Sequence, residues 1–233
     1  MTVGAIMQPT YLPWAGYFNL MSHAEVFVLL DDVQFCRSSW QCRNRILLQG
    51  SEHLLTVSLT GVSLGTPICE VRLMPGIWAA KHWATLNAAY GKTAHGPQLL
   101  ELLKPIYAEA TQYTHLVDWN QRLIETLARA LLIETPLVRA SNLSCRGQRS
   151  SHLLALCDRL GVTEYISPRG SSDYLMEDNF AGNGRIALRY QTFTPAPYAQ
   201  RKALAFVSHL SVVDVIAQQG LDFARRYVLA EVD

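Results

Sequence analysis

Residues 3–44 read VGAIMQPTYLPWAGYFNLMSHAEVFVLLDDVQFCRSSWQCRN. The apolar run Val3–Met7 predicts a short buried strand, and Val26–Leu30 predicts a second one that stops on Asp31 and Asp32. Between them, Pro9 and Pro13 exclude a regular helix interior, whereas Tyr17 to His23 is permissive for helix. Strand, loop, helix, strand is the opening of a parallel α/β sheet, with the two runs as adjacent parallel strands. Ligands of such sheets sit beyond the carboxyl ends of the strands. Both ends are polar here: Gln8 follows the first strand, and Asp31, Asp32 and Gln34 follow the second. Arg37, Trp40, Arg43 and Asn44 come soon after, so the candidate site is placed at this edge.

The whole chain of 233 residues has room for one α/β domain, expected as a Rossmann-like, mostly parallel sheet flanked by helices. Helices from about Trp78 to Glu134 form an insertion or helical subdomain in that reading. Apolar content of 49% with 17% charged residues fits a sheet covered by helices and excludes a disordered chain. A net charge of +1 supplies no basic field, so no nucleic-acid partner is expected. The five cysteines, Cys36, Cys42, Cys69, Cys145 and Cys157, are an odd, irregularly spaced set without C-x-x-C. They suit neither a disulfide framework nor zinc, and a reducing cytoplasm is the expected location. The amino terminus lacks a basic n-region, so no signal peptide is expected, and no apolar run approaches the roughly 18 residues of a membrane span.

Further along, His53–Leu59 and Ile68–Leu73 read as strands joined through Gly61, Gly65 and Pro67. Trp78–Tyr90 predicts a helix closed by Gly91, Pro97–Thr111 a helix interrupted at Pro105, and Leu116–Glu134 a long amphipathic helix ended by Pro136. Leu137–Ala140 reads as a strand, Gln148–Leu160 as a helix capped by Gly161, and Val162–Ser167 as a strand with a polar exit. Ile186–Phe193 is expected to be a strand. Ser211–Gln219 is expected to be a helix with an acidic capping box, Ser211 to Asp214, before a last helix at Leu221–Leu229.

Within this frame the aromatic loop Tyr11-Leu12-Pro13-Trp14 either walls a ligand or fills the gap between helix and sheet. Of Asp31 and Asp32, adjacent on a strand, at most one faces a ligand. That carboxylate is a base, a metal ligand or an ion-pair partner, while Arg37, Arg43 or Arg45 has the planar fork that holds an anionic group. Lys81 and His82 sit inside a predicted helix. His82 has the acid–base range of a catalyst, although a helix histidine among tryptophans is also a common packing residue. The loop Ser167 to Ser172, with Gly170 and Ser171, can cradle an anion on backbone N–H groups, and Tyr174 follows it. Tyr198 and Gln200, with His209 and Asp214, form the last set. No nucleotide fingerprint and no metal-ligand spacing occurs.

The strings QPTYLPWAGYF and DDVQFCRSSWQCRNRI resemble the amino-terminal signature of the WbqC-like proteins of bacterial polysaccharide and O-antigen clusters. KHWATLNAAY from Lys81, YISPRGSSDYL from Tyr165 and FVSHLSVVDVI from Phe206 extend the likeness over nearly the whole chain. In those proteins the position of Arg37 is usually lysine, that of Ala199 usually proline, and that of Cys36 serine or another small residue. A cysteine nucleophile is therefore not expected. The resemblance implies a transferase that joins an acyl or aminoacyl group, glycyl among them, to an amino sugar or similar amine. Such chemistry needs a donor activated as an ATP-derived adenylate or as a thioester on an acyl carrier protein, a base, and cationic or N–H groups for the oxyanion. Asp32 and His82 are the candidate catalytic groups. Gln8, Tyr11, Trp14, Gln34, Arg37, Trp40, Arg43, Asn44, Lys81, Ser167, Gly170, Ser171, Tyr174, Tyr198 and Gln200 are the candidates for binding. Nucleotidyl transfer to a sugar phosphate and non-catalytic binding of a pathway intermediate are the rival readings.

Overall fold

The computed structural model describes residues 1–231. In chain order it forms β1 (Val3–Met7), α1 (Ala15–Ser22), β2 (Val26–Leu29), β3 (Arg43–Leu48), β4 (Ser51–Thr56), β5 (Leu59–Thr60) and β6 (Arg72–Leu73). The helices α2 (Trp78–Tyr90), α3 (Gly96–Ala108) and α4 (Leu116–Ala130) follow, then β7 (Leu137–Arg139), α5 (Arg149–Leu160), β8 (Glu164–Ser167) and α6 (Ser172–Glu177). β9 (Ala187–Tyr190), α7 (Val212–Gln219) and α8 (Leu221–Val228) complete the described chain.

The main sheet has the order β7-β2-β1-β8-β9, and every pair in it is parallel. β1 and β2 are adjacent and parallel, as their apolar runs predict. The chain steps outward from β1 to β2 and β7, then crosses to β8 and β9, so the winding reverses between β1 and β8. Strand alternation sends Ala5, Phe27 and Ile166 into one apolar cluster with Phe18, Leu127 and Val213. Ile6, Val28 and Tyr165 enter a second cluster with Leu153 and Leu156 of α5. A sheet buried on both faces needs strands apolar throughout, which explains why these runs stand out in the sequence.

The segment between β2 and β7 departs from expectation. β3 and β4 form an antiparallel hairpin from Arg43↔Thr56 to Leu48↔Ser51. Its turn places Gln49 at φ +55 and Gly50 at φ +85. A Cβ at Gly50 would meet the Lys202 carbonyl oxygen at 2.2 Å, so the glycine is required there. Of the expected strand Ile68–Leu73, only Arg72–Leu73 is extended, paired with Leu59–Thr60. Ile68–Glu70 instead makes a helical turn. Its backbone N–H groups serve the exit of β2: Ile68 N donates to Val33 O at 3.0 Å and Cys69 N to Asp31 O at 2.7 Å. α3 runs through Pro105 without interruption. The missing N–H deprives only the carbonyl of Glu101, which is exposed.

Candidate functional site at the carboxyl edge of the sheet

Register places the polar strand exits together. Met7 lies opposite Leu29 and Ala5 opposite Ile166, so Gln8, Asp31 and Ser167 leave the sheet at one edge, beside the reversal of winding. The loop after β1 is held by buried amides. Asn44 Nδ2 donates to Tyr11 O at 3.0 Å and Leu12 O at 2.9 Å, while its Oδ1 accepts from Arg45 N at 2.8 Å. Asn120 Nδ2 donates to Pro9 O at 3.2 Å and Gln41 O at 2.7 Å. Gln41 Nε2 donates to Gln8 Oε1 at 2.8 Å. These bonds fasten a loop in which Leu12 takes φ +41, a conformation costly for a leucine.

The loop walls a cavity of about 340 Å³ lined by Met7, Thr10, Trp14, Tyr17, Trp40, Asn44, Arg45 and His209. Two distant stretches meet here because Val212 N donates to Pro13 O and Ser211 N to Arg45 O, both at 2.8 Å. The Trp14 indole stacks on His209 at 4.8 Å and meets Phe193 edge-on at 5.6 Å. It also lies over Gly16, where a Cβ would be 2.1 Å from the ring, so any side chain there must displace this indole. Trp40 remains 46% exposed, with the Arg45 guanidinium 5.2 Å from its ring centroid.

Three polar atoms of the cavity residues stay uncommitted. The Tyr17 hydroxyl and Arg45 Nε are buried without a partner among the described residues. Arg45 otherwise donates from Nη1 to Glu52 at 2.9 Å and from Nη2 to His209 O at 3.2 Å. His209 pairs through Nδ1 with Ser208 Oγ at 2.9 Å, which leaves Nε2 free among the described residues. Partial burial and then the charge of Arg45 lower the His209 pKa below 6.5, keeping the imidazole neutral near pH 7. His209 also adopts φ +57.

The two adjacent carboxylates part company. Asp31 is fully buried and accepts from Ser141 N at 2.9 Å and Ser141 Oγ at 2.8 Å, which ties the exit of β2 to that of β7. Asp32 pairs with His152 Nε2 at 3.0 Å. His152 stands in the first turn of α5, is 6% exposed, and has no partner for Nδ1 among the described residues. Sequence reasoning missed His152; its only signal was a histidine at the start of a helix that follows a strand exit.

The other expected residues are distributed as follows. Gln34 is exposed and bridges to Pro67. Arg37 Nη2 donates to Val62 O at 3.3 Å, and Arg43 Nη2 donates to Ser38 O. Ser167 is buried at the sheet edge, Gly170 is exposed, and Ser171 and Tyr174 are half-buried beyond it. The Arg149 guanidinium lies 5.8 Å from the Tyr174 ring centroid. Lys81 is exposed on α2.

His82 is not brought to the cavity. It is buried, with Nε2 donating to Thr56 O at 3.1 Å and Nδ1 accepting from the Tyr11 hydroxyl at 2.8 Å. Tyr11 in turn meets the Tyr107 hydroxyl at 2.6 Å. A carbonyl only accepts, so Nε2 carries a proton, and the lowered pKa keeps Nδ1 unprotonated near pH 7. Burial lowers its pKa to about 4. Tyr11 is thus engaged below the loop and lines no part of the cavity. Tyr198 and Gln200 are likewise committed elsewhere: the Tyr198 hydroxyl donates to Asp214 Oδ2 at 2.7 Å and Gln200 Nε2 to the same oxygen at 3.2 Å. The Asp214 side chain is therefore no capping-box partner of Ser211. Burial raises its pKa, and these donors oppose the rise. Among the described residues no group of histidine, cysteine and carboxylate side chains could hold a metal ion, and no helix is long and apolar enough to cross a membrane.

Fold and edge site together define a Rossmann-like α/β protein whose cavity lies beside the first strand exit. The chain belongs to the WbqC-like protein family, whose model matches residues 8–226. It is similar to the uncharacterized protein Rv1507c of Mycobacterium tuberculosis, with 29% identity over 221 residues and 94% of each chain covered. No solved structure matches.

Proposed function

We propose that this chain is an amide-forming transferase, passing an activated acyl or aminoacyl group, glycyl among them, to the amine of an amino sugar bound in the Trp14–Trp40 cavity. The observation that carries the reading is His209, a neutral imidazole with a free Nε2 on the wall of a cavity that also holds two unpartnered buried donors. The acceptor amine attacks the acyl carbon and its proton passes to His209 Nε2. The new C–N bond forms as the bond to the adenylate oxygen or carrier sulfur breaks, and the leaving group departs with the electron pair. Arg45 Nε and the Tyr17 hydroxyl are the donors available to the transient oxyanion. The exposed face of Trp40 suits the C–H face of a pyranose. Asp32 with His152 supplies a second acid–base pair on the same edge, fitted to the donor side.

Nucleotidyl transfer to a sugar phosphate has no separate observation in its favour, since Arg45 is the one cationic side chain among the residues lining the cavity. The test incubates the protein with glycine and ATP, or with acetyl and glycyl thioesters, plus UDP-linked amino sugars, and seeks the amide product by mass spectrometry. Product is expected with one donor class. Its rate should fall in acid through the His209 titration, and Arg45→Gln should move that limb upward. Tight sugar binding without product from any donor would overturn catalysis and leave a binding protein.

A further inference from the structure

A second hollow, of about 570 Å³, lies in the layer formed by α2, α3 and the strand β6. It shares no lining residue with the sheet-edge cavity. Trp78, Trp83, Tyr107, Tyr113 and Met74 line it, and Lys104 is its one charged lining residue. The walls are held from behind: Trp78, Tyr107 and Tyr113 each stand edge-on to the buried Trp119, at 5.4, 5.3 and 5.4 Å. Side chains locked in this way keep a hollow open instead of collapsing into it. Its size is that of small-molecule sites, which span roughly 300–1,000 Å³ and are mostly apolar with few polar groups.

We propose that this hollow is a binding site for a ring-bearing apolar small molecule that carries an anionic group, its rings among the four aromatic side chains and its anion at Lys104. Charge complementarity selects the anion, because no carboxylate lines the hollow. The ammonium is available, since its contact with Glu101 is a 3.6 Å pair one helical turn away with both side chains exposed. Tyr107, on the wall, is hydrogen-bonded to Tyr11 of the loop that walls the sheet-edge cavity. Occupancy therefore has a direct structural route to that loop.

The experiment uses the full chain and two probes, 8-anilino-1-naphthalenesulfonate and its uncharged counterpart N-phenyl-1-naphthylamine, followed by fluorescence and by calorimetry for stoichiometry. One site is expected for each. Ala80→Trp and Ala108→Trp, both at exposed positions on the lining, fill the hollow and should weaken both probes at least tenfold. Circular dichroism checks that each variant is folded, and either one alone suffices. Lys104→Gln should weaken the sulfonate about fivefold or more and leave the neutral probe within about twofold, on the scale of a hydrogen bond to a charged group. Probe binding that ignores both tryptophan variants, several equivalent weak sites, or equal loss of the two probes in Lys104→Gln would overturn the proposal.

Discussion

The buried His82 makes folding stability depend on pH in a way that one variant isolates. Its ring is neutral in the fold, and burial moves its pKa from 6.5 to about 4. In the unfolded chain the same ring takes a proton near 6.5, so between these values the unfolded state binds more protons. Stability must then fall as pH falls through 6.5, with the loss complete below about 4. The gap of about 2.5 units, at ~1.4 kcal/mol each, comes to ~3–4 kcal/mol in full, of which about 3 is lost by pH 4. His82→Gln offers an amide that can accept from Tyr11 and donate to Thr56 O but cannot titrate. Urea unfolding midpoints of both proteins at pH 7, 5.5 and 4 give the comparison, because all other acid-sensitive groups are shared. Native protein should lose about 3 kcal/mol more than the variant over that range. Parallel pH curves would refute the burial-driven depression of the His82 pKa and leave the ring free to titrate, as a catalytic histidine must.

Two further substitutions probe the loop that walls the cavity. Asn44→Ala strips the buried Tyr11 and Leu12 carbonyls of their donor, which should cost about 2–6 kcal/mol in urea unfolding, at ~1–3 kcal/mol for each orphaned group; a loss below ~1 kcal/mol would mean that the loop is held by other contacts. Gly16→Ala drives a methyl into the Trp14 ring, and the overpacking, ~1–3 kcal/mol, should outweigh the ~1 kcal/mol that alanine gains in a helix. Its tryptophan emission should shift as the Trp14–His209 stack opens; an unchanged spectrum in a variant of normal stability would refute that packing.

Much of this molecule is written locally. The runs Val3–Met7 and Val26–Leu30 are apolar because both faces of their sheet are covered, and that alone predicts the parallel core. The helix Trp78–Tyr90 and the Gly161 cap of α5, at φ +67, follow from propensity and from glycine's access to the left-handed region. Placing the polar exits Gln8, Asp32 and Ser167 on one edge required only that the strands be parallel. The hairpin Arg43–Thr56 was not legible, since Arg43-Asn44-Arg45 looks like solvated loop and its turn carries Gln49 where Asn is the usual signal. The partners of the polar residues were decided by tertiary structure. Whether a histidine titrates depends on what surrounds it, and His82, His152 and His209 have no local pattern that separates them. His82 packs against Tyr11, 71 positions away, His152 meets Asp32, 120 away, and His209 reaches Trp14 only because α7 starts against Pro13. Burial and hydrogen bonding act through space, so chain order determined the strands and helices, and only the packed fold determined which side chain each functional group faces.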